Sequence, residues 1–230
     1  IAPPGGWIMQ ALALRAANTS TPPPPTTVTY VQNASSTPQG KVATVKATFA
    51  AAQTLGDLNV VAIGWNDATA TISSVEDTAG NTYTLAVGPT VQSGLATQAI
   101  YYAKSIAAAS SNSVTVTFSG PATSPDLRIL EYANADPTNP VEVAASASGT
   151  SANSTVSLIT ASASDLIFAA NLVQTETTGP GAGFTSRVIT SPDGDIAEDM
   201  QVGAAGGYTA SAPVNPAGGW IMQALGIKHK

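Results

Sequence analysis

Apolar residues in this chain come in short runs of five to nine, each closed off by Gly, Pro, Asn, Asp or Ser, and no segment sustains a helical period. Runs of that length bounded by turn residues are the mark of β-strands, and many of them at regular spacing specify an all-β sandwich or barrel. Such runs begin at Val28, Lys41, Leu58, Thr71, Thr82, Thr97, Ser113, Asp126, Val141, Ser154, Asp165, Gly183, Asp195 and Gly218. "SVTVTFS" from Ser113 alternates cleanly, with Val114, Val116 and Phe118 on one face and threonines on the other. The segments between runs, "DTAGN", "SGPATSPD", "NADPTNP", "TTGPGAG" and "SPDGD", are turn chemistry. The alanine stretches around Ala107 and Ala161 are broken by Ser and Thr. The pattern predicts an all-β fold, a two-sheet β-sandwich of jelly-roll type over 28–230, with an N-terminal extension strand.

One run occurs twice. "GGWIMQAL" spans Gly5–Leu12 and again Gly218–Leu225, with Pro3 matching Pro216 and Ala13-Leu14-Arg15 answered by Gly226-Ile227-Lys228. As a strand it puts Trp7, Met9 and Ala11 on one face and Ile8, Gln10, Leu12 and Leu14 on the other. Both faces are mostly apolar, which suits a strand covered on both sides. The first copy is set apart by "NTSTPPPPTT" (Asn18–Thr27), whose four prolines favour an extended polyproline spacer of roughly 3 Å per residue. Unpaired, such a segment is an aggregation hazard, and insertion into another copy's sheet removes it. The predicted organisation is therefore a linking strand over 1–17, a spacer over 18–27 and a sandwich over 28–230. Trp7, Ile8, Met9, Gln10, Leu12 and Leu14 are the expected anchors of a joint between copies. Trp220, Ile221, Met222 and Leu225 are their counterparts in the sandwich. Two arrangements fit: exchange of the strand between separate chains, or a tandem array in which residues 1–15 close a preceding module and the 213-residue offset from Trp7 to Trp220 is the period. Both are head-to-tail and polymerise. A third arrangement packs both strands in cis.

Composition narrows the function classes. Net charge is −6 with no Lys/Arg cluster, which argues against nucleic acid and anionic membrane surfaces. No apolar run approaches the length of a membrane-spanning helix. Cysteine is absent, so disulfides and thiolate metal sites are unavailable. The chain starts at Ile1 with no basic-then-apolar signal segment, the expectation being a removed leader or a piece of a longer polypeptide. Sequons at Asn18, Asn33 and Asn153 are candidates for glycosylation.

From Val28 onward the chain resembles a β-sandwich repeat module of large secreted or surface proteins of environmental bacteria. The residues that carry the resemblance are "AIGWNDATATISSVEDTAGNTYTLAVGPT" (Ala62 to Thr90), "IYYAKSI" (Ile100 to Ile106), "LRILEY" (Leu127 to Tyr132), "GFTSR" (Gly183 to Arg187), "DGDIAED" (Asp193 to Asp199) and a closing "WIMQ"-type strand. The resemblance implies an extracellular sandwich repeat and carries no assigned chemistry. Donor-strand pilins are similar in principle only.

Catalysis finds little footing. A Ser-His-Asp triad or a histidine zinc site needs a histidine, and the only one, His229, stands next to the chain end where a frayed tail is expected. The best glycosidase pair the sequence offers is Glu131 with Glu198. Lys41, Lys46 and Lys104 lie in expected strands but have no evident isopeptide partner. No cofactor is expected; Ca²⁺ is the only candidate ion, at Asp193, Asp195, Glu198 and Asp199 around an Asp-Gly turn. The rival to a structural role is carbohydrate binding or adhesion to polysaccharide, for which Trp65, Tyr101, Tyr102 and Tyr132 are the available aromatics. Adjacent Tyr101 and Tyr102 must point to opposite faces of a strand. The expected function is a non-enzymatic subunit of an extracellular or cell-surface filament, its partners being other copies of itself.

Overall fold

The computed structural model describes residues 2–6, 27–163 and 165–230. Thirteen strands and no helix run through them: β1 (Thr29–Ser36), β2 (Lys41–Thr48), β3 (Leu58–Trp65), β4 (Ile72–Asp77), β5 (Thr84–Gln92), β6 (Ala96–Ala103), β7 (Ser113–Thr123), β8 (Asp126–Ala133), β9 (Val141–Thr160), β10 (Leu166–Val173), β11 (Thr185–Ile189), β12 (Ile196–Gln201) and β13 (Gly206–Ile227). All pairings between them are antiparallel. Most sit where a run was expected. "VEVAASAS" and "STVSLIT" join into one long strand, β9, and β13 begins well before the repeated octapeptide.

The strands form an all-β sandwich of three sheets rather than two, ordered β1-β8-β3-β6-β5, β11-β12-β10-β13-β9 and β2-β7-β4. The first sheet is the middle layer. Its one face, with Leu58, Val60, Ile100, Leu130 and Tyr132, meets Leu166, Phe168, Leu225 and Ile227 of the second sheet. Its other face, with Val61, Ile63, Trp65 and Ile129, meets Val45, Val114, Val116 and Phe118 of the third. A strand covered on both faces must be apolar throughout, and "LNVVAIGW" of β3 is buried at all eight positions. Trp65 and Phe118 meet edge to face at 5.3 Å between centroids.

The second sheet doubles over itself. β9 and β13 pair along nearly their whole lengths, with the ladder interrupted between Pro213 and Gly218. There the ribbon folds back, so that Val156, Leu158 and Ala210 of its far half pack on Ile167, Ala169, Met222 and Ala224. The two ends of β9 consequently meet: the Ala161 amide donates to Glu142 Oε1 at 2.9 Å. "LIFAANLV" of β10 is thereby buried at all eight positions.

Both ends of the sandwich lie at one pole. Thr29 opens the β1–β8 ladder opposite Ala133. At the other end of the chain His229 bridges to Ala135, and the Lys230 amide donates to the Asn134 carbonyl at 3.0 Å. The expected frayed tail is thus pinned, because those last backbone groups find partners beyond the end of β8. "DTAGN" is a turn as expected: Asp77 accepts from the amides of Ala79 and Asn81 at 3.1 and 2.9 Å, and from Tyr83 Oη at 2.9 Å.

A candidate assembly site: the seat of the repeated strand

The second copy of the repeat forms the C-terminal half of β13 and has neighbours on both edges. Trp220–Ile227 pairs with Val173–Leu166 of β10 on one side and with Gly149–Val141 of β9 on the other. Every residue from Trp220 to Ile227 is buried. Ile221 packs on Leu172 and Ala96, and Leu225 and Ile227 enter the core against the middle sheet. Trp220, Met222 and Ala224 face the opposite way, beneath the folded-back ribbon. Full cover of each large apolar side chain is worth about 1.5–3 kcal/mol.

Each of the eight repeated residues has a use in this seat. A Cβ on Gly218 would stand 3.0 Å from Thr175 Cγ2, and one on Gly219 would stand 2.9 Å from both Gln92 Nε2 and Leu95 Cδ1. The Gly219 amide donates to Gln174 Oε1 at 2.9 Å. The Trp220 indole lies on Gly149 and donates to Ser151 Oγ at 2.9 Å. Gln223 is buried between sheets, donating to Thr90 Oγ1 at 2.9 Å and the Gln98 carbonyl at 3.0 Å, and accepting from Gln98 Nε2 at 3.2 Å. Gln98 in turn donates to the Ala170 carbonyl and accepts from Arg128 at 3.4 Å. Arg128, buried, donates to the carbonyls of Asn171 and Ile196, both at 2.7 Å. A buried polar group must be paired, so this chain of side chains reads one residue, Gln223, at one register. Sequence reasoning missed it; its signal was a lone Gln or Arg within an apolar run, in "WIMQAL" and "LRILEY".

The identity between the copies stops where the seat is tight. Gly226 corresponds to Ala13, and a Cβ on Gly226 would stand 2.7 Å from Val143 Cγ1. Of the first copy, Gly5 and Gly6 are exposed and outside any strand. Trp7, Ile8, Met9, Gln10, Leu12 and Leu14 lie outside the described residues, as does Asn18.

The other candidate residues are dispersed. Asp193 and Asp195 share a hollow, whereas Glu198 accepts from the Gly181 amide at 2.8 Å and Asp199 is held by Arg187 at 2.7 Å and Tyr132 Oη at 2.9 Å. Burial pushes the Glu198 carboxyl up to about 7. Glu131, on β8, accepts from Gln32 Nε2 at 2.6 Å and the Thr54 amide at 3.1 Å, so it and Glu198 serve different sheets. Among the described residues no three His, Cys, Asp or Glu side chains converge on a metal position. Trp65 and Tyr132 are fully buried; Tyr101 and Tyr102 are half-buried. Lys41, Lys46 and Lys104 are exposed, and Lys104 donates to the Thr138 carbonyl. Asn33 donates its amide to Tyr30 Oη and the Arg187 carbonyl, while Asn153 is exposed at the ribbon's bend.

No helix among the described residues is long and apolar enough to cross a membrane. Comparison with protein-family models, with curated proteins and with solved structures found no match to this chain.

Proposed function

We propose that this chain is a non-enzymatic structural module of an extracellular or cell-surface fibre, joined to its neighbours through the repeated strand. The observation that carries the reading is the use made of Gly218–Leu225: each residue shared with Gly5–Leu12 fills a specific contact in the seat between β9 and β10. A second copy of so exact a key suits a second seat of the same kind. The sandwich already holds its own key, so the first copy belongs to another sandwich. In a tandem polypeptide that is the preceding module, closed by residues 1–15. Between separate chains the incoming strand must displace a resident one.

Two features favour the tandem version. Residues 218–227 continue directly from the ribbon that covers them, so displacement would also peel that cover away. In exchange between identical chains Ala13 would take the place of Gly226 against Val143, a clash that a preceding module with its own sequence need not have. Since both ends of the sandwich lie at one pole, the joint runs pole to pole through the Thr/Pro spacer. The fibre is then a string of pendant sandwiches rather than a rigid end-to-end rod. The Thr/Pro spacer and the resemblance to secreted repeat modules support the extracellular setting.

Negative-stain microscopy and SDS gels of the chain with and without residues 1–15 test the joint. Strand exchange gives polymers only with the first copy present, falling to single subunits in hot SDS. The tandem version gives single particles from both chains. It also requires that, in a polypeptide of two consecutive modules, a first module ended at Pro213 and followed directly by Ile1 be completed only through an intact first copy. Polymers from the shortened chain would overturn both versions.

A further inference from the structure

A second feature of the molecule, independent of the repeated strand, is a corner of unbalanced charge where β12 begins. The loop from Thr190 to Asp195 turns through Gly194 at φ +74° and brings Asp193 and Asp195 to the wall of a hollow of about 330 Å³. Asn66, Ser124, Gln174 and Thr175 also line it. Asp195 is fully buried; its Oδ1 accepts from the Val173 amide at 2.7 Å, and its Oδ2 is buried with no hydrogen-bond donor. Asp193, half-buried, accepts from Gln39 Nε2 at 2.8 Å through Oδ1, and its Oδ2 is likewise buried without a donor. Nearby, Asp126 lies 2.8 Å from Arg128 Nε and accepts the Thr190 hydroxyl. The other guanidinium nitrogens of Arg128 are committed to Asn171, Ile196 and Gln98. Fully ionised, three carboxylates against one guanidinium would leave two negative charges in a mostly buried corner, a state that burial disfavours without a further cation.

We propose that Asp193 and Asp195 hold a calcium ion in this hollow through their free Oδ2 atoms, with neutral oxygens of the wall and water completing its shell. Every donor available is oxygen, which suits a hard cation and excludes the soft-metal sites that need thiolate or imidazole. Two carboxylates with an irregular set of neutral oxygens suit calcium, whose coordination is flexible, better than magnesium, which demands an octahedron. Two positive charges match the two that ionisation of all three carboxylates would leave uncompensated. Burial, with Asp126 adding to it, pushes the Asp195 carboxyl well above the usual carboxylate range, and burial raises Asp193 as well. A cation at the two Oδ2 atoms offsets that cost and ties the loop before β12 to the end of β10. Glu198 and Asp199, which the sequence grouped with this pair, take no part, because neither lines the hollow: Glu198 Oε2 accepts from the Gly181 amide, and Asp199 is held by Tyr132 and Arg187.

The test is calorimetric titration of CaCl₂ into the EGTA-treated full chain, with thermal unfolding followed by circular dichroism. Affinity is expected in the sub-millimolar to millimolar range found for extracellular modules, on the order of 10⁻⁴–10⁻³ M. One site per chain and a rise in Tm of several degrees are expected, both abolished by Asp193→Asn and by Asp195→Asn and not reproduced by MgCl₂. Asp193→Asn decides the matter if Asp195→Asn fails to fold, since Asp193 is only half-buried. No heat and no change in Tm up to about 10 mM CaCl₂ would overturn the site. So would a rise that survives Asp193→Asn, or one that MgCl₂ matches, since either would mark surface screening.

Discussion

Gly149 and Trp220 face each other across the β9–β13 ladder, and a Cβ on Gly149 would stand 2.7 Å from Cζ2 and 3.1 Å from Cε2 of the indole. The glycine is there to make room for the ring. Gly149→Ala should cost about 1–3 kcal/mol through overpacking, and Trp220→Ala about 3–5 kcal/mol through the cavity it leaves. Urea denaturation of the two variants and their double mutant checks this. If ring and glycine touch, the double mutant should be little worse than Trp220→Ala alone. Full additivity would mean that they do not meet.

Gln223→Leu should destabilise the sandwich by about 1–3 kcal/mol, because the Gln98 carbonyl loses its donor and Gln98 Nε2 one of its acceptors inside the core. Gln10→Leu, at the matching position of the first copy, should leave the Tm of a single sandwich unchanged while weakening the joint. Equal effects of the two substitutions on Tm would mean that both copies pack in one sandwich.

Gly226→Ala converts the resident strand toward the first copy and pushes a methyl group against Val143. A loss of about 1–3 kcal/mol is expected, recovered in large part by adding Val143→Ala. If Gly226→Ala is neutral, the seat accepts Ala13 without adjustment, and Val143 no longer disfavours exchange between identical chains.

Stability should peak in mildly acidic solution. Burial, aided by Glu142, raises Asp165 to about 7, and burial followed by Glu131 raises Asp57 to about 6. Glu198 is also near 7. Their ordinary values are 3.8 for aspartate and 4.5 for glutamate. Groups raised on folding stabilise the protein fully below their unfolded pKa and lose that contribution progressively as pH climbs from there through 6 to 7. Asp67 runs the other way. Burial would raise it, but the amides of Ala70, Thr123 and Thr69 outweigh that and hold it near 2, so its contribution is lost as pH falls from 3.8 toward 2. Thermal unfolding between roughly pH 3 and pH 8 should show a maximum near pH 4–5. Asp165→Asn should flatten the fall on the alkaline side. A Tm that climbs steadily from pH 5 to pH 8 would contradict the assignment.

Strand existence was legible because it is local. Alternation in "SVTVTFS", the apolar runs of "LNVVAIGW" and "DLIFAAN", and the turn residues between them are properties of neighbours in sequence, and each of the three runs became a strand, although β7 continues to Thr123 through the first part of the expected turn "SGPATSPD". The first half of β13 was not legible, because "GGYTASAPVNPAGG" has the composition of a loop. It is a strand only because β9 supplies a ladder for Gly206–Pro213, and Pro216 falls in the gap where no ladder bond is required. The same limit applies to the site. The repeat itself announced a strand covered on both faces, and the second copy is one.

What covers it was decided by tertiary structure. Gln223 meets Gln98 across 125 residues, and Arg128 reaches Ile196 across 68. The four acidic residues close together in sequence part company because successive residues of a strand face opposite ways, as Glu198 and Asp199 do, and Asp193 and Asp195 precede β12 altogether. Sequence alone thus determined where most of the strands lie and that the repeated octapeptide is an apolar strand fit to be covered on both faces. The third sheet, the folded-back ribbon, the buried polar chain and the single pole at which both ends emerge came from pairings between distant segments, whose free energy no local window contains.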